Sequence, residues 1–151
     1  DEAPAFTLPS DAGTDVSLAD FKGSWLVLYF YPRDSTPGCT REAQAFRDSL
    51  AEFDKRNAKV VGVSRDSIAS HCKFRDAQNL NFPLLSDRNA KVHEAYGAWG
   101  EKTMYGKKVL GAIRTTVIIS PEGKVARIFP NVKVPGHAEA VLAALDELAQ
   151  A

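Results

Sequence analysis

Cysteine is scarce in this chain, with two in 151 residues. So few sulfurs cannot build the disulfide framework of a small secreted domain, which favours a reducing compartment, by default the cytoplasm. An excess charge of either sign is also missing. The 19 Lys+Arg and 19 Asp+Glu cancel, so neither a nucleic acid nor an anionic membrane is an expected partner. Long apolar runs are absent too: the longest, Trp25 to Tyr31, falls well short of the ~20 residues of a membrane-spanning helix. No Lys/Arg-plus-apolar leader is visible, although residue 1 is Asp rather than Met. Repeats, low-complexity tracts and linkers are lacking, so a single domain over residues 1–151, long enough to bury a core, is expected. His71, His93 and His137 are scattered, and only His71 adjoins a cysteine. Adjacent helical residues point to different sides, so neither a metal site nor a cofactor is predicted.

What is present is an alternation of strand and helix patterns. Pro4 to Pro9 reads as a short edge strand, and Val16-Ser17-Leu18 as another, followed by a turn over Asp20 to Gly23. Trp25 to Tyr31 is apolar on both faces, as a central strand covered on each side should be. From Cys39 to Asn57 the period changes: Ala43, Phe46, Leu50 and Phe53 fall on one helical face, and Pro37 suits the helix entry. A second buried strand over Lys59 to Ser64 and a second helix over Asp66 to Gln78 follow. Phe82 to Ser86 is a short extended segment, Arg88 to Tyr96 a short helix, and Gly97 to Gly111 a Gly-punctuated stretch holding Trp99 and Tyr105. Thr115 to Ser120 and Lys124 to Phe129, joined by Pro121-Glu122-Gly123, form a strong hairpin signal. A last helix from about Gly136 points Val141, Leu142, Leu145 and Leu148 inward. This order predicts an α/β fold with a mixed central sheet and helices on both faces.

The chemistry concentrates in Tyr29-Phe30-Tyr31-Pro32-Arg33-Asp34-Ser35-Thr36-Pro37-Gly38-Cys39-Thr40. Here an apolar strand runs through a Pro/Gly turn and presents one thiol where a helix begins. Unpaired backbone N–H groups and the positive end of the helix dipole favour thiolate there, and the thiolate is the nucleophile. Thr36 can bring its hydroxyl near the sulfur across the turn. Gly38 lets the backbone approach, so that its N–H and that of Cys39 point into the site. Pro32 can shield the sulfur from water. A cation is still required to steady the negative charge that develops as such a nucleophile reacts, and close by in sequence only Arg33 or Arg41 offers one.

The spacing Pro32-x-x-x-Thr36-x-x-Cys39 resembles the active-site signature of the peroxiredoxins. The longer run is similar to the bacterioferritin-comigratory-protein, or Q-type, branch. The similarity continues through Phe6-Thr7-Leu8-Pro9, Gly62-Val63-Ser64, Phe82-Pro83-Leu84-Leu85-Ser86-Asp87 and Tyr105-Gly106-Lys107, covering nearly the whole chain. The resemblance implies a thioredoxin-like fold, and Cys39 as the cysteine that attacks peroxide and becomes a sulfenic acid. It assigns the missing cation to Arg114, in Gly111-Ala112-Ile113-Arg114-Thr115-Thr116, and gives Glu42 the part of orienting that arginine. An acid partner would fix the guanidinium plane without sitting on the sulfur.

Many members of this branch carry a resolving cysteine five residues after the first. Here that position is Gln44, and the alternative position, in the next helix, falls near Arg75. Cys72 lies three residues short of it, so the sulfenic acid is expected to be recycled by Cys72 or by an external thiol. The implied partners are a peroxide substrate and either thioredoxin or a glutaredoxin/glutathione reductant, and the implied state is a monomer. Trp99 and Tyr105 read as packing residues, and Tyr31 and Phe46 as core or pocket wall. Two rivals share the same sulfur. A thiol-disulfide oxidoreductase would need a second thiol three residues on, which Thr40-Arg41-Glu42 does not supply. A redox sensor would be oxidised once rather than turn over.

Overall fold

The computed structural model describes residues 1–150; Ala151, the last residue of the expected domain, lies outside them. Nine strands and five α-helices follow in the order β1 (Thr7–Pro9), β2 (Asp15–Ser17), β3 (Trp25–Phe30), α1 (Pro37–Asp48), α2 (Leu50–Lys55), β4 (Ala58–Ser64), α3 (Ile68–Gln78), β5 (Leu84–Ser86), α4 (Lys91–Ala95), β6 (Trp99–Met104), β7 (Lys107–Ala112), β8 (Thr115–Ile119), β9 (Val125–Phe129) and α5 (His137–Gln150). The central sheet has five strands in the order β5-β4-β3-β8-β9. β3 pairs in parallel with β4 and antiparallel with β8, so the sheet is mixed.

The two-faced apolar run predicted for β3 is central because both its faces are covered. Val27 and Tyr29, with Tyr31 just beyond, pack with Cys39, Ala43, Phe46, Phe53, Phe74 and Val141 from α1, α2, α3 and α5. Leu26, Leu28 and Phe30 pack on the other side with Phe6, Tyr96 and Ala98. On the first of these faces Gly62 of β4 is needed: a Cβ would sit 3.0 Å from both Leu84 Cδ2 and Tyr29 Cζ, so its absence lets the Tyr29 ring lie across the strand. That ring stacks on Phe46 at 4.7 Å between centroids. Phe46 is fully buried, a contribution of about 1.5–3 kcal/mol, and it pins α1 to β3 two turns beyond Cys39.

Two expectations need correction. The helix predicted from Cys39 to Asn57 is two helices, α1 and α2, separated at Ser49, which adopts φ −99° and ψ 3°. Asp48 and Ser49 compete for backbone hydrogen bonds and favour helix ends; the apolar face runs on through Leu50 and Phe53, which hides the break. The stretch from Gly97 to Gly111, given no element above, folds as the antiparallel pair β6–β7. Its turn places Tyr105 and Gly106 at φ 54° and 78°, the left-handed pair that matches strand twist. An aromatic in the first of those positions is an uncommon turn signal, so the hairpin does not announce itself. The β8–β9 hairpin is as predicted, with antiparallel pairing from Thr116–Phe129 onward.

Candidate active site

Cys39 occupies the third residue of α1, after the cap Thr36 and Pro37 at the first position. The first bond of the helix runs from the Thr40 N–H to the Thr36 carbonyl at 2.8 Å. The N–H groups of Gly38 and Cys39 stand ahead of that bond, at the positive end of the helix. The sulfur is almost wholly buried, with 1% of Cys39 exposed, so a reagent must enter a fitted site rather than collide with an open surface.

Arg114 follows β7 and immediately precedes β8, whose pairing with β3 brings it beside the thiol. One guanidinium nitrogen, Nη2, donates to Cys39 Sγ at 3.3 Å, while Nη1 donates to Glu42 Oε1 at 2.6 Å. Glu42, one turn along α1 from Cys39, is 1% exposed, and its Oε2 has no hydrogen-bond partner. Burial pushes its carboxyl up to about 7, against the opposing pull of Arg114. Burial alone would lower the guanidinium, but Glu42 and Cys39 more than offset that and hold Arg114 protonated. Burial, helped by the same guanidinium, drops His137 to about 4; its Nε2 lies 2.8 Å from Thr116 Oγ1. His137 is therefore neutral beside the site.

Gly38 has a second use beyond backbone approach. A Cβ there would lie 3.3 Å from Arg114 Nη2, tighter than an ordinary contact. Gly38→Ala is expected to shift the guanidinium by a few tenths of an ångström and slow thiol oxidation by about threefold to tenfold, since small misplacements at a reacting centre are costly. Stopped-flow oxidation rates of the variant check this.

Arg33 and Arg41 are exposed, so neither supplies the cation. Pro32 is half-buried, two residues beyond β3. Thr36 Oγ1 donates to the Arg33 carbonyl at 2.8 Å, so its proton closes the turn and is not directed at the sulfur. Cys72 is half-buried on α3, and its thiol donates to the Asp11 carbonyl at 3.3 Å. Arg75 Nη1 donates to that same carbonyl at 3.0 Å, so Cys72 shares the helix face of the position at which the resemblance puts a resolving thiol. Trp99 is half-buried with Arg65 stacked 5.0 Å over its ring, whereas Tyr105 is 99% exposed and is not the packing residue expected. Tyr31 and Phe46 belong to the same core cluster as Cys39.

Sequence reasoning missed a buried polar cluster at the start of the turn. Asp34 accepts from Tyr31 Oη at 2.6 Å and from Ser70 Oγ at 2.8 Å, and it lies 2.7 Å from His71 Nδ1. A lone histidine on a helix carries no sequence signal for such a partner.

Residues 1–128 match the model of the AhpC/TSA family. The chain is a peroxiredoxin of that family, in the bacterioferritin-comigratory-protein branch. Peroxiredoxin Bcp of Xanthomonas campestris is 52% identical over 145 residues, 95% of this chain and 91% of that one. Peroxiredoxin Bcp of Escherichia coli K12 is 40% identical over 147 residues, 97% and 94% of the two chains. The X. campestris bacterioferritin comigratory protein, solved as trapped intermediate/ligand complexes bearing on alkyl peroxide reduction, superposes with a TM-score of 0.91 at 50% identity, covering 95% of this chain and 92% of that one. This peroxiredoxin is accordingly a thiol-dependent peroxidase with a thioredoxin-like fold, acting on a peroxide and drawing electrons from a thiol. No helix among its described residues is long and apolar enough to cross a membrane.

Proposed function

We propose that Cys39 is the residue that attacks hydrogen peroxide and small organic hydroperoxides. The observation that carries this reading is the Arg114 fork, which bonds Cys39 Sγ on one side and Glu42 on the other. The thiolate attacks one peroxide oxygen and the O–O bond breaks. Sulfur keeps the first oxygen as a sulfenic acid, and the second leaves as hydroxide or alkoxide and takes up a proton. Arg114, with the Gly38 and Cys39 N–H groups, stabilises the charge as it passes from sulfur to the leaving oxygen. Glu42 positions the fork. Thr36, whose proton is committed to the Arg33 carbonyl, presents its oxygen as an acceptor for the hydroperoxide O–H. Pro32 shields the sulfur. The residues present need no metal, haem or flavin for this cycle.

A second thiol then reduces the sulfenic acid, either Cys72 or an external thiol from thioredoxin or a glutaredoxin/glutathione system. Both cysteines are unpaired, and α1 and α3 lie on the same side of the sheet, where Gln44 Nε2 donates to Gln78 Oε1 at 2.8 Å. With both helices intact, the sulfurs belong to separate helical surfaces. A direct bond needs Cα atoms within about 7 Å, so the first turn of α1 must unwind, which terminal turns do at low free-energy cost. Peptide mapping under non-reducing conditions, after one equivalent of peroxide, is expected to yield a Cys39–Cys72 cross-link. Sulfenic acid on Cys39 with Cys72 still free, and full activity of Cys72→Ser with thioredoxin, would instead establish the one-cysteine cycle. The proposed working form is a monomer in a reducing compartment such as the cytoplasm.

A further inference from the structure

Between Pro32 and Thr36 the chain is tied to α3 by contacts that the chemistry above does not use. Asp34 is 6% exposed and His71 fully buried. His71 Nδ1 faces Asp34 Oδ2 at 2.7 Å, and Nε2 faces the Leu85 carbonyl at 2.9 Å. A carbonyl can only accept, so Nε2 carries a proton. Asp34 already accepts from Tyr31 Oη and Ser70 Oγ, the behaviour of a carboxylate, so Nδ1 carries one as well. His71 is therefore an imidazolium paired with a carboxylate, inside the protein. The Asp34 N–H also donates to Asp66 Oδ2 at 2.8 Å, and that oxygen accepts from Ser64 Oγ at 2.7 Å. Although Asp34, Asp66 and His71 converge within 4.8 Å, a doubly protonated ring has no lone pair for a cation.

We propose that Asp34 and His71 form a charged clamp that positions the Pro32–Thr36 turn against α3 and governs how readily the turn and the start of α1 open. The opening matters because, on the function proposed above, Cys39 can bond Cys72 only when the first turn of α1 unwinds. Ser70 and His71 lie beside Cys72 on α3, so one clamp ties the attacking cysteine's turn to the segment that carries the second thiol.

The clamp is sensitive to pH. The titratable groups facing the imidazole are Asp34 and Tyr31 from the turn after β3 and Asp66 from the turn after β4, and β5 presents the Leu85 carbonyl. Burial disfavours the imidazolium, but the Asp34 hydrogen bond and charge, the Leu85 carbonyl and Asp66 outweigh it and raise His71 above its ordinary value. A raised folded-state value means that the clamp is fully present below the ordinary histidine range of ~6.5 and is lost as pH rises through the folded value. Tyr31 is pushed well above its usual range, chiefly by burial, and does not titrate in that window.

The test is amide hydrogen exchange of reduced protein in peptides spanning residues 33–44, corrected for the intrinsic pH dependence of exchange. Opening in the wild type is expected to rise by about tenfold from neutral to alkaline pH, the scale of a hydrogen bond to a charged group. His71→Gln is expected to be about tenfold more open at neutral pH and to lose that dependence. A histidine that merely fills space would leave the wild type flat. The ¹⁵N shifts of the His71 ring at pH 7, which need no variant, are expected to report two protonated nitrogens. A neutral ring, or wild-type opening that does not change with pH, overturns the clamp. No peroxide is involved, so the outcome is separate from whether Cys39 and Cys72 act as proposed.

Discussion

Cys39→Ser is expected to lower peroxide reduction by at least about 10⁴-fold, the order lost when an enzyme's nucleophile is deleted, while the protein stays folded. Serine differs from cysteine by one atom, and Arg114 Nη2, now 3.3 Å from Sγ, can donate to a hydroxyl in the same place. The buried volume at a residue only 1% exposed changes little. An alcohol is a far weaker acid and a far poorer nucleophile toward peroxide oxygen than a thiol, so the helix terminus and guanidinium have no sulfur nucleophile to present to the peroxide. Peroxide consumption with a regenerating thiol, alongside a thermal melt, separates lost chemistry from lost fold. Near-normal turnover by a purified, folded Cys39→Ser protein would remove Cys39 from the reaction.

Arg114→Ala is expected to slow sulfenic acid formation by at least ~10²-fold, the scale of losing one donor aimed at developing negative charge. The loss is compounded because Glu42, whose Oε2 already lacks a partner, would be left buried without its guanidinium. Arg114→Lys should recover only part of the rate. Its ammonium keeps the charge but lacks the planar fork that holds sulfur and Glu42 Oε1 at once. Stopped-flow oxidation of the two variants decides the matter, and wild-type rates in both would contradict the assignment.

The parts of the fold that were legible in the sequence are those whose signal is local. The apolar run of β3, the alternation and turn of β8–β9 and the Pro-led entry to α1 each depend on neighbours within a few residues. The break at Ser49 was hidden because the apolar face of α1 continues into α2, and β6–β7 because Tyr105-Gly106 is an unfamiliar pair for a left-handed turn. The site divides in the same way. Thr36, Gly38 and Cys39 share one turn and could be argued from residue chemistry. Arg114 lies 75 residues from Cys39, and only a resemblance could nominate it over the nearer Arg33 and Arg41. The hydroxyl of Thr36 turned to the Arg33 carbonyl, a choice among nearby acceptors that composition does not decide. Asp34 and His71 are 37 residues apart; a buried histidine and a surface one look alike in sequence until a partner is placed beside them.

A peroxidase must turn over repeatedly at Cys39, and the direct measurement is the number of peroxide molecules consumed per protein chain with excess thiol reductant, before and after Cys39 is blocked. Many equivalents per chain, falling to none when Cys39 alone is alkylated, is the predicted result. Consumption that stops at one equivalent while reductant remains, or that continues with Cys39 blocked, would contradict it.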